Sequence, residues 1–270
     1  MHMFKPLIGL TLATLAFATE AADVTITLNQ TAPAGGVGIA PVWFGLQNGG
    51  YTVFNVGSAA SAGLVQAAED GSAAGLTTQF ASANPSGVQG TLPGGPIFSS
   101  DTRTMTLNNA DLTGANRYLS YAAMVVLSND FFVGNATPLD LSSIATGGSI
   151  TLYLGGTSGV VYDAGAEIND FQYSVANGAF GVAGGQTAAG QGNAENGVIH
   201  VVSGINPYAS FLNQGLVPGS FNWTPLQFNA QSAFATVTIS VAAVPEPSEA
   251  ALLIGGLGLM ALCVSRRKRA

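Results

Sequence analysis

The sequence predicts an all-β body of many short antiparallel strands carrying one short helix, with an apolar segment at each end of the chain. Three observations predict it. Apolar runs are brief and separated by Gly, Asn, Ser and Thr. Strict alternation of polar and apolar residues marks several runs, and helical periodicity is confined to one stretch. Asp23–Leu28 alternates and opens the body as a strand. Pro41–Leu46 is a second strand, closed by the turn-forming Asn48-Gly49-Gly50. In Ser61–Gly71, Leu64, Ala67 and Ala68 share one side, Ser61 can cap the start and Gly71 the end, which predicts a short helix lying on a sandwich. Thr104–Leu107 is a third strand. Tyr118–Leu127 is nearly continuously apolar, as a strand buried on both faces must be. Ser149–Leu154, Val198–Val202 and Ala235–Val241 supply later strands, and Ala176–Gly197, poor in large apolar groups, is expected to be a long loop. There is no internal repeat and no linker to a second domain.

The two ends carry addresses. Lys5 precedes an apolar stretch from Leu7 to Ala18, and Thr19-Glu20-Ala21 offers small residues for cleavage. Residues 1–21 therefore read as a secretory signal peptide handled by the Sec machinery, cut after Ala21 or Ala22. At the other end, Val244-Pro245-Glu246-Pro247-Ser248 leads into an apolar run from Ala250 to Val264, then Arg266, Arg267, Lys268 and Arg269. The two prolines hold the backbone extended, as a processing enzyme requires of a substrate. The run is shorter than the about 20 residues of a stable span, and the basic cluster stays on the cytoplasmic side. Residues 244–270 resemble the PEP-CTERM sorting signal, which implies recognition and cleavage by an exosortase after transient anchoring in the inner membrane. The implied destination is the cell surface or an extracellular matrix.

Between these ends lies one domain, residues 22–243. Five of the seven Lys and Arg belong to the ends, leaving Arg103 and Arg117 in the body. Two cations against eleven carboxylates give the body a formal charge of −9. Such a surface excludes nucleic acid and anionic lipid as charge-driven partners and favours divalent cations or neutral and basic ones. The one cysteine, Cys263, lies in the apolar tail, so the body has no disulfide and depends on core burial.

Familiar catalytic constellations are hard to assemble. His200 is the body's one histidine, read as a hydrogen-bonded, half-buried strand residue between Ile199 and Val201. No paired His or Cys suits zinc, and no glycine loop of phosphate-binding type occurs. The acids could supply a carboxylate pair for glycoside hydrolysis, but no spacing singles one out. Two acidic segments do stand out. In Leu127–Asn135, Asp130 follows the buried strand and precedes two phenylalanines. In Tyr162–Asp170, three carboxylates surround a glycine turn. Hard cations take several carboxylate, amide and carbonyl oxygens from such loops. Trp43 and Trp223 read as packing aromatics. The sequons at Asn29, Asn135 and Asn222 read as coincidental.

Three segments together resemble the spondin N-terminal domain: Phe54–Leu64 running into Ala67–Gly71, Tyr118–Asp130 with Val133-Gly134-Asn135, and Asp163–Asp170. The resemblance implies an antiparallel β-sandwich akin to calcium-dependent membrane-binding domains, with a divalent cation at one end. By position, Asp130, Asp163 and Glu167 are the implied ligands of calcium, or of magnesium, with Asn129 and Asp170 orienting them. Glu167 departs from the aspartate usual in animal members, and the animal cysteines are missing. The expectation is a non-enzymatic exported protein of the cell surface or matrix that binds an exopolysaccharide or another surface ligand. The competing expectations are a metal- or carboxylate-dependent hydrolase of matrix glycans, and a structural matrix component without a specific ligand.

Overall fold

Alternation in the opening segment becomes strand β1 (Ala21–Gln30), with Ala22, Val24, Ile26 and Leu28 turned inward and no more than 1% exposed. Burial of each such aliphatic side chain contributes about 1.5–3 kcal/mol. The computed structural model describes residues 21–32, 37–126, 128–145, 147–155, 160–169, 173–174, 179–180, 190–202, 233–243 and 255–256. The signal segment before Ala21, the sorting motif Val244–Pro247, the basic cluster Arg266–Arg269, Asp170, Trp223 and most of the expected loop 176–197 lie outside them. No helix among the described residues is long and apolar enough to cross a membrane.

After β1 come β2 (Gly38–Ile39), β3 (Trp43–Gln47), helices α1 (Ala62–Asp70) and α2 (Ala74–Ala83), β4 (Val88–Thr91) and β5 (Thr102–Asp111). The chain continues through β6 (Tyr118–Val126), β7 (Phe131–Gly134), β8 (Leu139–Asp140), a 3-10 turn at Ser142–Ile144, β9 (Gly148–Leu154) and β10 (Val161–Asp163). The last strands are β11 (Tyr173–Ser174), β12 (Ala179–Phe180), β13 (His200–Val201) and β14 (Ala235–Ala243). The smaller sheet has the order β5-β1-β14-β9, and the larger runs β13-β10-β7-β6-β3-β4, with β2 and β8 also pairing β6. All pairings are antiparallel.

The two sheets share one core: Val24, Ile26, Leu28, Val237 and Ile239 of the smaller meet Phe44, Leu46, Leu119, Ala123 and Val133 of the larger. The opposite face of the larger sheet is covered by the helices. There Trp43, Ala122, Phe132 and Tyr162 pack with Leu64, Ala67, Ala68, Leu76 and Phe80. That double burial explains the uninterrupted apolar run of β6, and Trp43 is a core aromatic as expected.

Helix α1 has the caps read from sequence. Ser61 Oγ accepts the Leu64 amide at 3.3 Å, and Gly71 takes the left-handed conformation, φ 66°. Instead of one helix, the described residues of the body hold two. Helix α2 carries two Thr and one Gly in ten residues and has no side-chain N-cap, so local propensity announces it weakly. Tertiary packing forms it: Leu76 and Phe80, four residues apart, are fully buried, and the Phe80 ring meets Trp43 and Tyr51 edge-on at 5.2 and 5.3 Å. A second correction concerns Val198–Val202, where only His200–Val201 is strand. Asn135 is occupied by structure: its side chain accepts from the Tyr121 amide and donates to Leu119 O, both at 2.8 Å.

The helices cross at a glycine pair. A β-carbon on Gly63 would stand 2.7 Å from the Gly75 carbonyl carbon, and one on Gly75 would stand 2.7 Å from Gly63 Cα. Backbone cannot yield as a flexible side chain can. Gly63→Ala should therefore lower stability by about 1–3 kcal/mol despite the better helix propensity of alanine. Urea unfolding would measure this, with Gly95→Ala, whose added carbon meets nothing within 4 Å, expected to stay near wild type.

Candidate functional site

The turn from β6 to β7 is tied by Ser128, whose Oγ donates to Val125 O at 2.6 Å and accepts the Phe131 amide at 3.0 Å. This sets Asp130 immediately before β7. Strand β10 pairs with β7 so that Asp163 lies opposite Phe131, and β13 places His200 opposite Asp163. Two segments distant in sequence are thereby brought to one end of the larger sheet. Past Asp163 the chain turns at Gly165, φ 65°, where a β-carbon would stand 2.6 Å from the Val198 nitrogen. Only glycine suits that combination of conformation and close approach.

Asp130 organises the turn. Its Oδ2 accepts the amides of Ala166 at 2.8 Å and Glu167 at 3.0 Å, while its own carbonyl accepts from the Ala164 amide at 3.2 Å. Its Oδ1 is buried and has no hydrogen-bond partner among the described residues. Asp163 Oδ1 accepts the Gly165 amide at 2.7 Å, and Oδ2 accepts from Asn169 Nδ2 at 2.6 Å. The Asn129 side-chain amide donates to Glu167 Oε1 at 3.0 Å. Asn129, Asp130, Asp163 and Glu167 are thus gathered, and all are buried rather than displayed at loop tips. The turn is braced by residues 193–197, through Ile168 N to Asn193 O, Glu195 N to Ala166 O and Gly197 N to Gly165 O.

Sequence reasoning missed three members. Glu69, on α1, is buried beside the cluster, within reach of the Glu167 and Asp70 charges. Its signal was available: two carboxylates, Glu69 and Asp70, end a helix with no basic residue in its last turn, where the helix dipole disfavours negative charge. Glu195 and Asn169 gave no local sign. His200 departs from the half-buried reading. Its side chain is 52% exposed, Nδ1 lies 3.0 Å from Val198 O, and Nε2 lies 3.7 Å from Asp163 Oδ2.

The electrostatics follow from burial of like charges. Burial, then the Asp163 charge, lifts the Asp130 carboxyl to about 7 against the pull of the Glu167 and Ala166 amides, and Glu195 adds to the lift. Burial, then Glu167 and Asp70, lifts Glu69 to about 7. Both arginines of the body are paired elsewhere, Arg103 with Asp101 and Arg117 with Asp140. All the donors are hard oxygens, the chemistry of a calcium or magnesium shell. No three His, Cys, Asp or Glu side chains among the described residues converge into a ready cage.

No protein-family model matches the chain, and no curated protein matches it.

Raised carboxyl pKa values give the pH dependence a definite sign. In the folded state Asp130 and Glu69 hold protons up to about pH 7 that the unfolded chain, whose carboxyls titrate at about 4, has released. Stability in EDTA should therefore fall as pH rises from about 4 to about 7 and level off above that, by on the order of 4 kcal/mol from Asp130. Urea unfolding between pH 4 and 8 should show this slope, and Asp130→Asn with Glu69→Gln should flatten it.

Proposed function

We propose that this chain is a non-enzymatic, exported surface or matrix protein whose spondin-like β-sandwich domain holds a divalent cation, calcium before magnesium, at Asp130, Asp163 and Glu167. The reading is carried by the buried Asp130 Oδ1, an acceptor without a donor in a cluster of carboxylates that no arginine neutralises. A buried unsatisfied polar group costs about 1–3 kcal/mol, more if charged, and a cation would offset both that cost and the repulsion of Asp163. The residues fit such an ion by donor type. With no three carboxylates converging, main-chain carbonyls, water or a partner's oxygen would complete its shell. The ion would supply positive charge and fix the 163–169 turn; Asn129 would hold Glu167 in place, and Asn169 would hold Asp163. Val56, Ile168, Val198 and Val201 are exposed on these and adjoining segments and offer apolar contact to a partner.

The sequence supports the route. The signal peptide delivers the chain through Sec, the tail holds it transiently in the inner membrane, and an exosortase cuts near Pro245-Glu246-Pro247. The register Ala22 opposite Ala243 sets the first and last residues of the domain side by side at one end of the smaller sheet.

Calcium at 100 times its dissociation constant should stabilise the protein by about 2.7 kcal/mol. Thermal unfolding in EDTA, then in calcium or magnesium, should show the increment, and Asp163→Ala should abolish it; identical melting curves would count against the cation. For sorting, replacing Pro245, Glu246 and Pro247 with alanine should leave uncut chain in the membrane fraction of the producing cell. Cleavage and release at the wild-type rate would remove the exosortase from the scheme.

A further inference from the structure

A cleft of about 520 Å³ lies between helices α1 and α2. One wall is the stripe of Gly63, Gln66, Glu69 and Asp70 on α1, spaced three and four residues apart as one helix face requires. The other wall holds Gly75 and Gln79 of α2. Where the helices cross, neither Gly63 nor Gly75 puts a side chain into the space. Gln66 Oε1 accepts the Gly75 amide at 2.9 Å, and Gln79 Oε1 accepts from Ser61 Oγ at 3.0 Å. Each glutamine thus has its oxygen engaged and an NH2 group as its donor.

The α1 wall ends in Glu69 and Asp70. Glu69 is only 9% exposed, and among the described residues no group donates a hydrogen bond to its carboxyl. Both acids stand in the last turn of α1, where the helix dipole is negative and no basic residue follows. The two arginines of the body are paired elsewhere. The positive end of α2 gives little relief, since its Gly75 amide is held by Gln66. A solvated pair of acids needs no partner. A carboxyl nine-tenths buried at a helix end that repels it is stabilised by a cation reaching it through the cleft. A bare metal ion would use the carboxylate end alone and leave most of the volume unfilled. From Gly63 to Glu69 is about 9 Å of helix, the reach of a lysine side chain and the peptide unit that bears it. Glu69 and Asp70 project about 100° apart around α1, so they cannot offer a guanidinium one planar pair. The compact ammonium of lysine, with three donors on a slender stem, suits both them and the glycine crossing.

We infer that the cleft between α1 and α2 is a docking site for a lysine side chain of a partner protein, its ammonium at Glu69 and Asp70 and its peptide unit at Gln66 and Gln79. The formal charge of −9 on the body favours the approach of such a basic partner. The site goes beyond the proposed function, since it names a class of partner and requires no divalent cation.

The test uses the full chain in a nonionic maltoside detergent with EDTA, and the peptide acetyl-Gly-Lys-Gly-amide as the probe, read by isothermal titration calorimetry. Wild type should bind the peptide saturably, one per chain, and the same peptide with norleucine for its lysine should not bind. Glu69→Gln keeps the side-chain shape and should weaken binding by about tenfold, the worth of one hydrogen bond to a charged group. Asp70→Asn should do the same, so the result does not rest on the folding of a single variant. Asp163→Asn should leave binding unchanged, which keeps failure of the cation site separate from failure of the cleft. 1-Aminopentane, lacking the peptide unit, should bind more weakly than the peptide. Absence of saturable heat would overturn the inference, as would equal binding of the norleucine peptide or full affinity in both Glu69→Gln and Asp70→Asn. Equal affinity for 1-aminopentane would assign the cleft to a free amine and overturn the partner protein as its occupant. Calcium that displaces the peptide even from Asp163→Asn would give these carboxylates to the ion instead.

Discussion

Pairing of the first strand with the last is the interaction on which the rest depends. β1 and β14 align in register from Ala22–Ala243 to Gln30–Ala235, joining residues more than two hundred positions apart. They form the centre of the smaller sheet, with β5 and β9 added at its edges. Val24, Ile26 and Leu28 on one, and Val237, Ile239 and Val241 on the other, supply one wall of the main core. Without this pair the larger sheet would expose the face bearing Phe44, Leu46 and Leu119. No disulfide can substitute, since the single cysteine lies outside the body. Loop-closure entropy must be met before these contacts form, so the domain closes only when nearly all of its chain is available.

The larger sheet is constrained from both sides, and that places the acidic cluster. Its inner face is committed to the smaller sheet and its outer face to the two helices, leaving the strand ends for polar chemistry. At one such end the β7–β10 pairing sets Asp130 and Asp163 close together, and the end of α1 brings Glu69 to Glu167. Asp130 serves structure and electrostatics at once: one oxygen ties the 163–167 turn through two amides, and the other is left without a donor. Burial of several carboxylates with both body arginines engaged elsewhere is an unfavourable arrangement by itself. A protein keeps such an arrangement where protons or a cation relieve it.

Much of this was legible in the residues, and the limits have physical causes. The strand alternation of β1, the doubly buried β6 and the caps of α1 are local signals, written within a few residues, and the structure has them where they are read. The acids Asp130, Asp163 and Glu167 were also singled out, and they lie together. Their burial was not legible, because a carboxylate in a turn looks solvated until chain distant in sequence covers it. Glu69 was passed over although its place at the end of a helix is electrostatically adverse. His200 was read as half-buried from its apolar neighbours, but it lies on a two-residue strand that leaves its ring in solvent.

By itself the sequence determined the class of fold, the addresses expected at both ends, the acidity of the body and its dependence on burial. These follow from period, composition and short motifs, all of which act over a few residues. Tertiary structure alone decided that α2 is a helix, because Leu76 and Phe80 gain from a surface that Trp43 and Tyr51 provide. It decided which carboxylates share one buried end. It decided too that Glu69 and Asp70, at the end of one helix, line a cleft whose other wall is a second helix. Which segments meet is set by side chains packing into a common core, and that packing joins residues no local pattern relates.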